Sequence, residues 1–175
     1  PWYASVPGLI VIAPYDASDA KGLLKAAIRC EDPVVFLENE LVYGRSFELP
    51  ELDDHVLPIG KARIVREGED VTIVSYSIAV GLALEAAEQL AEEGINAEVI
   101  DLRWLDAASV DWDTIGESIR KTNNVMIVEQ GSRGTSYGGW LSDEIQRRYF
   151  DWLDSPIQRI SGAESAPTIS AVLEK

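Results

Sequence analysis

The ten residues GSRGTSYGGW, Gly131 to Trp140, carry four glycines between an apolar run that ends at Glu129 and a stretch with helical periodicity. Strand, glycine turn and helix in that order can aim backbone N–H groups and the positive end of a helix dipole at an anion. The spacing of Gly131, Gly134, Gly138 and Gly139 does not match G-x-G-x-x-G, and no Gly-Lys-Ser/Thr follows, so neither a dinucleotide fingerprint nor a P-loop is present. The stretch reads as a tight turn that brings Tyr137 and Trp140 against a neighbouring element. The other candidates are acids and one histidine. Glu38 and Glu40 alternate at the end of a predicted strand, where they would share a face and could work as an acid/base pair beside an apolar wall. Glu129 closes a strand near the crevice where open α/β sheets bind ligands, which makes it the best placed of the acids. His55, the only histidine, sits in the acidic stretch ELDDHVLP, and any serine–histidine triad or histidine metal site would have to be built on it. Beside Asp53 and Asp54 it reads as a solvated surface residue. Arg103 and Asp106 read as a structural ion pair or an interface contact, and Cys30, the single cysteine, as a small, partly buried thiol. Taken alone, these residues describe an acidic α/β protein without a convincing catalytic constellation.

The elements that must position them follow from periodicity. LIVIA, Leu9 to Ala13, is a short apolar run bounded by Gly8 and Pro14, and predicts a buried strand. In DASDAKGLLKAAIR, Asp16 or Ser18 supplies an N-cap, while Ala20, Leu23, Leu24, Ala27 and Ile28 share one helical face. Pro33 ends that helix, and VVFLE predicts the next strand. From Asn39 to Pro58 periodicity fails, as in a linker or surface crossing. KARIVREGEDVTIVSYS then gives two strand-like runs joined through Glu67 to Asp70, a predicted hairpin. Ser77 is placed to cap a long helix with Val80, Leu84, Ala87 and Leu90/Ala91 on its apolar side and Gly94 as its left-handed terminator. AEVIDL predicts a strand, Asp113 to Lys121 a helix, VMIVE a strand, Asp143 to Phe150 part of a helix, and PIQRI a last strand. Strands alternating with helices predict a largely parallel sheet covered on both faces, a three-layer α/β/α arrangement.

Composition narrows the partners. A chain of 175 residues with 46% hydrophobic and 26% charged residues is that of an ordinary globule, and no apolar run approaches the roughly 20 residues of a membrane span. The net charge of −15 repels nucleic acid and anionic lipid surfaces. One cysteine excludes an internal disulfide and a cysteine-rich zinc site, as expected in a reducing compartment. The start PWYASVPGL shows neither an initiator methionine nor a leader pattern and reads as a piece that begins inside a fold.

The blocks SVPGLIVIAPYDASDAKGLLKAAIRCEDPVVFLENELVYG, LPIGKARIVREGEDVTIVSYS, GLALEAAEQLAEEGINAEVIDLR, KTNNVMIVEQG and LDSPIQRISGAE, in this order, closely resemble the beta subunits of the thiamine-diphosphate-dependent 2-oxo acid dehydrogenases, most of all the pyruvate dehydrogenase type. The likeness is weakest between Ser132 and Arg148 and after Glu164, where SAPTIS replaces a proline-tyrosine pattern. The resemblance implies that residues 1–39 are the end of a thiamine pyrimidine-binding domain, 40–56 a linker and 57–175 a transketolase-like C-terminal domain. It implies an alpha2beta2 heterotetramer that decarboxylates a 2-oxo acid, pyruvate above all, passes the acyl group to a lipoyl arm, and docks a dihydrolipoyl acyltransferase core. The cofactor, thiamine diphosphate with magnesium, would be held mainly outside this segment, largely by the alpha subunit, and the family's cofactor-activating glutamate precedes Pro1. No catalytic or cofactor-binding residue is therefore assigned here, and the segment alone is expected to be inactive. The family's structural potassium site, made by carbonyl oxygens at a helix end, maps onto Ala27, Ile28, Cys30 and Asp32, although Cys30 and Asp32 stand where relatives often carry aspartate and asparagine. The implied compartment is the bacterial cytoplasm or the mitochondrial matrix. Deoxyxylulose phosphate synthase, an acetoin-cleaving relative, or a non-catalytic interaction module are the alternatives.

Overall fold

A computed structural model describes residues 1–49 and 55–162. The first unit is short: β1 (Ile10–Ile12), α1 (Ala17–Arg29) and β2 (Val34–Phe36), with the two strands parallel. Asp16 caps α1, its carboxylate accepting the Asp19 N–H at 2.7 Å. The helix stops at Arg29, four residues before Pro33. Its buried face is Asp19, Gly22, Leu23 and Ala26, whereas Leu24 and Ile28, expected inside, are exposed. The helix is rolled because Asp19 turns inward to meet an arginine from the second unit. Between the units a 3-10 helix spans Glu40–Gly44.

The second unit holds β3 (Arg63–Arg66), β4 (Val71–Ser75), α2 (Ala79–Glu92), β5 (Ala97–Asp101), α3 (Trp112–Thr122), β6 (Val125–Ser132), α4 (Tyr137–Tyr149) and β7 (Gln158–Gly162). The sheet order is β3-β5-β4-β6-β7, parallel except for β3, which runs antiparallel to β5. Side chains alternate across it, as the pleat requires. Ile73, Val99 and Met126 pack with Ala83 and Ala87 of α2 on one face, while Val74, Val125 and Ile127 meet Ile115, Ile119, Leu141 and Ile145 of α3 and α4 on the other. These are the three layers the periodicity predicts. Among the described residues, no helix is long and apolar enough to cross a membrane.

The predicted hairpin is not formed. β5 lies between β3 and β4, and the turn residues bind its entry instead: Glu69 and Asp70 donate their N–H groups to the Asn96 carbonyl, and the Asp70 carboxylate accepts the Asn96 N–H. Five consecutive buried residues make β5 a better centre for the sheet than either strand of a hairpin. Gly68 permits the crossing, because a Cβ there would overlap the backbone of Ala97 and Glu98. Ser77 does not cap α2 with its side chain. It sits at φ 53° and turns the chain into the helix, whose N-cap is Ile78. Gly94, at φ 85°, terminates α2 as its position predicts. Helix α4 starts six residues before the predicted Asp143, and β6 runs on to Ser132.

Two glycines separate these demands. Gly68→Ala should lower unfolding free energy by about 1–3 kcal/mol through backbone overlap. Gly94→Ala, which meets open space but a left-handed φ, should lose about 1 kcal/mol. Urea midpoints check both, and equal, negligible losses would contradict the packing at Ala97.

Candidate functional site

Glu129 lies inside β6 and is 4% exposed. Its carboxylate accepts the Tyr76 hydroxyl at 3.0 Å, the Ser136 hydroxyl at 2.6 Å and the Gly138 N–H at 2.8 Å, and pairs with Arg159 at 3.2 Å. Arg159 in turn reaches the Ser136 hydroxyl and the Arg133 carbonyl. The first turn of α4 thus has its anion already: a carboxylate from the neighbouring strand accepts from the helix N-terminus, where the dipole favours negative charge. Gly138 makes room, since a Cβ there would overlap the Glu129 carboxylate. Burial, then the adjacent carboxylate, pushes the Tyr76 phenol well up, so it stays a neutral donor. The turn itself is confined to 133–136: Gly131 belongs to β6, Gly134 to the turn, and Gly138 and Gly139 to the first turn of α4. Tyr137 and Trp140 lie tilted against each other at 5.2 Å between centroids, and Tyr76 and Trp112 meet them edge-on. Tyr137 and Trp140 line a cavity of about 520 Å³ with Pro7, Leu9 and Asp106. The buried Tyr137 hydroxyl has no hydrogen-bond partner among the described residues.

A second buried cluster joins the two units. Asp19, 1% exposed, receives Arg103 in a two-point contact, Nε to Oδ2 at 2.7 Å and Nη2 to Oδ1 at 2.6 Å. Arg63 of β3 pairs with Asp16 at 2.7 Å and with Asp19 at 3.3 Å. Asp101, at the end of β5, accepts the Arg103 N–H at 3.0 Å and is 1% exposed. Burial first, and then the Asp19 carboxylate, pushes the Asp101 carboxyl up to about 8. Around the cluster, Ile12 and Trp104 form an isolated antiparallel bridge, with Leu23 packed against them.

The remaining sequence candidates are dispersed. Arg103 and Asp106 do not pair with each other: Asp106 accepts the N–H groups of Val11 at 2.9 Å and Ser109 at 3.0 Å. Glu38 and Glu40 do not share a strand face, because β2 ends at Phe36 and Glu40 begins the 3-10 helix. Both are exposed, and Glu38 takes the Tyr43 hydroxyl, the bond that chiefly raises that phenol. His55 is half-buried rather than solvated, its ring 3.3 Å from the Ser18 hydroxyl and packed over Gly22. Asp53 and Asp54 lie outside the described residues. Ala27, Ile28, Cys30 and Asp32 surround the C-terminus of α1, where the Cys30 N–H donates to the Ala27 carbonyl at 3.3 Å. Cys30 is a free, partly buried thiol. Among the described residues no three His, Cys, Asp or Glu side chains converge on a metal position. The Asp19–Arg103 pair escaped sequence reading because its partners lie 84 residues apart.

The contrast between acids is measurable. Glu129→Ala strips a half-buried arginine and a helix N-terminus of their buried partner and should cost about 3 kcal/mol. Glu40→Ala, on an exposed 3-10 turn, should stay within about 0.5 kcal/mol. Denaturant midpoints decide it, and equal effects would show Glu129 to be dispensable.

Residues 60–175 match the model of the transketolase C-terminal domain, and residues 1–45 that of the transketolase pyrimidine binding domain. The chain is 49% identical over 174 residues to the pyruvate dehydrogenase E1 component subunit beta of Rhizobium meliloti, covering 99% of this chain and 37% of that protein. It is 54% identical over 177 residues to the mitochondrial pyruvate dehydrogenase E1 component subunit beta-1 of Arabidopsis thaliana, covering 99% and 48%. The chain therefore spans about half the length, or less, of these curated relatives. Among solved structures, a split-gene transketolase in an inactive beta4 tetramer aligns with a TM-score of 0.73 at 27% identity, over 93% of this chain and 51% of that one. A transketolase mutant from Pichia stipitis, at 19% identity and a TM-score of 0.58 over 91% of this chain and 21% of that one, shares the fold. With well over half of its residues matched by a single model, the chain belongs to the transketolase C-terminal domain family.

Proposed function

We propose that this chain serves the decarboxylating component of a 2-oxo acid dehydrogenase complex of the pyruvate type, as the assembly-forming part of a beta subunit. The observation that carries this reading is near-complete coverage of the chain, 99%, at 49–54% identity by proteins named as pyruvate dehydrogenase E1 beta subunits. The division into an end of a pyrimidine-binding domain (1–39), a linker (40–56) and a C-terminal domain (57–175) belongs to the same reading. So do an alpha subunit, a second beta subunit and a dihydrolipoyl acyltransferase core as partners, and a bacterial cytoplasm or mitochondrial matrix as the compartment.

Thiamine diphosphate with magnesium is the cofactor of this reading, and when bound it supplies the nucleophile for the 2-oxo carbon and the electron sink for decarboxylation. The one stretch here with the layout of a phosphate cradle does not fit it, since Glu129 already occupies the N-terminus of α4. Its phosphates would be held by other polypeptide, and this chain's share is to hold the pyrimidine-domain segment against the C-terminal sheet through Asp19, Arg63 and Arg103. A potassium ion at Ala27, Ile28, Cys30 and Asp32 fits the donor chemistry. The last turn of α1 ends there, and backbone carbonyls at a helix C-terminus suit a weakly hydrated cation.

Two measurements test the proposal. Calorimetric titration of the 175-residue chain with thiamine diphosphate and magnesium should give no saturable heat, while an alpha subunit should co-elute with the chain in size-exclusion chromatography. Micromolar cofactor binding by the chain alone, or failure to co-elute, would overturn it. For the cation, the melting temperature should be about 2–4 °C higher in potassium than in sodium chloride at equal ionic strength. Equal values would remove the site.

A further inference from the structure

The buried joint between α1 and the five-stranded sheet does not balance in charge. Three carboxyl groups, Asp16, Asp19 and Asp101, face two guanidinium groups, Arg63 and Arg103. Asp16 and Asp19 come from α1, Arg63 from β3 and Arg103 from the chain just after β5. On the remaining side β4 places Ser75 beside Asp101, and that hydroxyl donates to the Val128 carbonyl. Both oxygens of Asp19 are engaged by Arg103, one of them also by Arg63, and Arg63 makes its closer contact with Asp16. What the structure gives Asp101 is the Arg103 backbone N–H, a neutral donor, in a site that excludes water. Asp16 and Arg63 keep partial contact with solvent, whereas Asp19, Asp101 and Arg103 are buried, so full ionisation would leave two carboxylates facing one guanidinium in the buried part of the cluster, an arrangement that burial penalises. A single proton removes the surplus.

We infer that Asp16, Asp19, Arg63, Asp101 and Arg103 form a proton-held latch, in which a neutral Asp101 carboxyl keeps α1 docked on the sheet and its ionisation loosens the joint. The latch is independent of the enzyme assignment. Two backbone hydrogen bonds cross the joint and report on it directly: Ala13 N–H to the Arg103 carbonyl and Leu105 N–H to the Val11 carbonyl, both at 2.9 Å.

The direction in pH follows from linkage. The folded carboxyl, at about 8, is raised above its ordinary value of 3.8. Its contribution is complete below the ordinary value and is lost as pH climbs through about 8. Glu98 and Asp111 behave oppositely. Burial pushes each carboxyl up, but Lys121 and Ser118 around Glu98, and Thr114, the Ala62 N–H and Lys61 around Asp111, together hold each below its ordinary range. Their contributions are lost only in acid, so they do not confound the alkaline window.

The test is hydrogen exchange by NMR on the 175-residue chain at pH 7 and pH 9, corrected for intrinsic rates. Protection of the Ala13 and Leu105 amides should fall about tenfold relative to amides of the β4–β5 pairing, the ratio expected when one group titrates midway. In Asp101→Asn, which keeps an acceptor for the Arg103 N–H and carries no charge, the fall should be less than about twofold. If the variant does not fold, the ¹³C titration of the Asp101 carboxyl in the unmodified chain decides instead. A midpoint above pH 7 supports the latch. A midpoint below pH 7, joint amides that follow the sheet amides in the unmodified chain, or an asparagine variant that loses protection as the parent does, would each overturn it.

Discussion

The two-point contact between Asp19 and Arg103 fixes how the molecule's two units meet. A guanidinium offers its N–H groups in a rigid plane, so a carboxylate that accepts two of them sets the relative position of both backbones as well as attracting charge. Arg103 holds φ at 60°, a region costing a non-glycine residue about 1–2 kcal/mol, and that turn aims its side chain at α1. The neighbouring contacts follow from it. Ala13 and Leu105 donate across the joint, Trp104 is fully buried against Ile12 and Leu23, and the Trp104 indole N–H reaches the Lys61 carbonyl. A buried ion pair is not in general more stable than well-packed apolar residues. Here its effect is selective: a docking of α1 that separated Asp19 from Arg103 would leave both charges unpaired, and with Asp19 turned inward Leu24 and Ile28 face outward.

Glu129 plays the corresponding part inside the second unit. Its four partners come from the end of β4, the turn after β6, the first turn of α4, and β7, so one carboxylate ties four neighbouring segments together. A residue placed at a strand end beside a glycine turn has the address of a catalytic acid. Its surroundings decide otherwise, because every oxygen is satisfied and the side chain is closed to solvent.

What the sequence made legible was whatever depends on local pattern. The three layers follow from the alternation of Ile73 with Val74 and of Met126 with Ile127, and Asp16 and Gly94 announce helix ends through chemistry within a few residues of themselves. Pairing between distant segments was not legible. Glu67 to Asp70 look like a hairpin turn, yet the strand that separates β3 from β4 lies about thirty residues downstream, and only the bare backbone of Gly68 hints at the crossing. The start of α4 was hidden for a similar reason. Gly138 and Gly139 weaken helix propensity, and the carboxylate that stabilises that turn comes from the preceding strand. At the site, Glu129 could be picked out as the acid that mattered, but its role rests on Tyr76 and Arg159, which no spacing rule connects to it.

These arrangements share one electrostatic logic. Asp16 accepts from the first turn of α1, Asp111 from the first turn of α3 and Glu129 from the first turn of α4, so in a chain of net charge −15 three of the four α-helix N-termini among the described residues hold one of the protein's own carboxylates. At the fourth, α2, the N-cap residue Ile78 gives no side-chain bond, and there the chain enters through Ser77 at positive φ, with Tyr15 and Arg45 closing over Gly81. A diphosphate seeking backbone donors on the other three helices would have to displace a carboxylate already desolvated and hydrogen-bonded, against the repulsion of a surface rich in acids. An α/β fold can carry the glycines, strand ends and helix dipoles of an anion site and still have spent them internally.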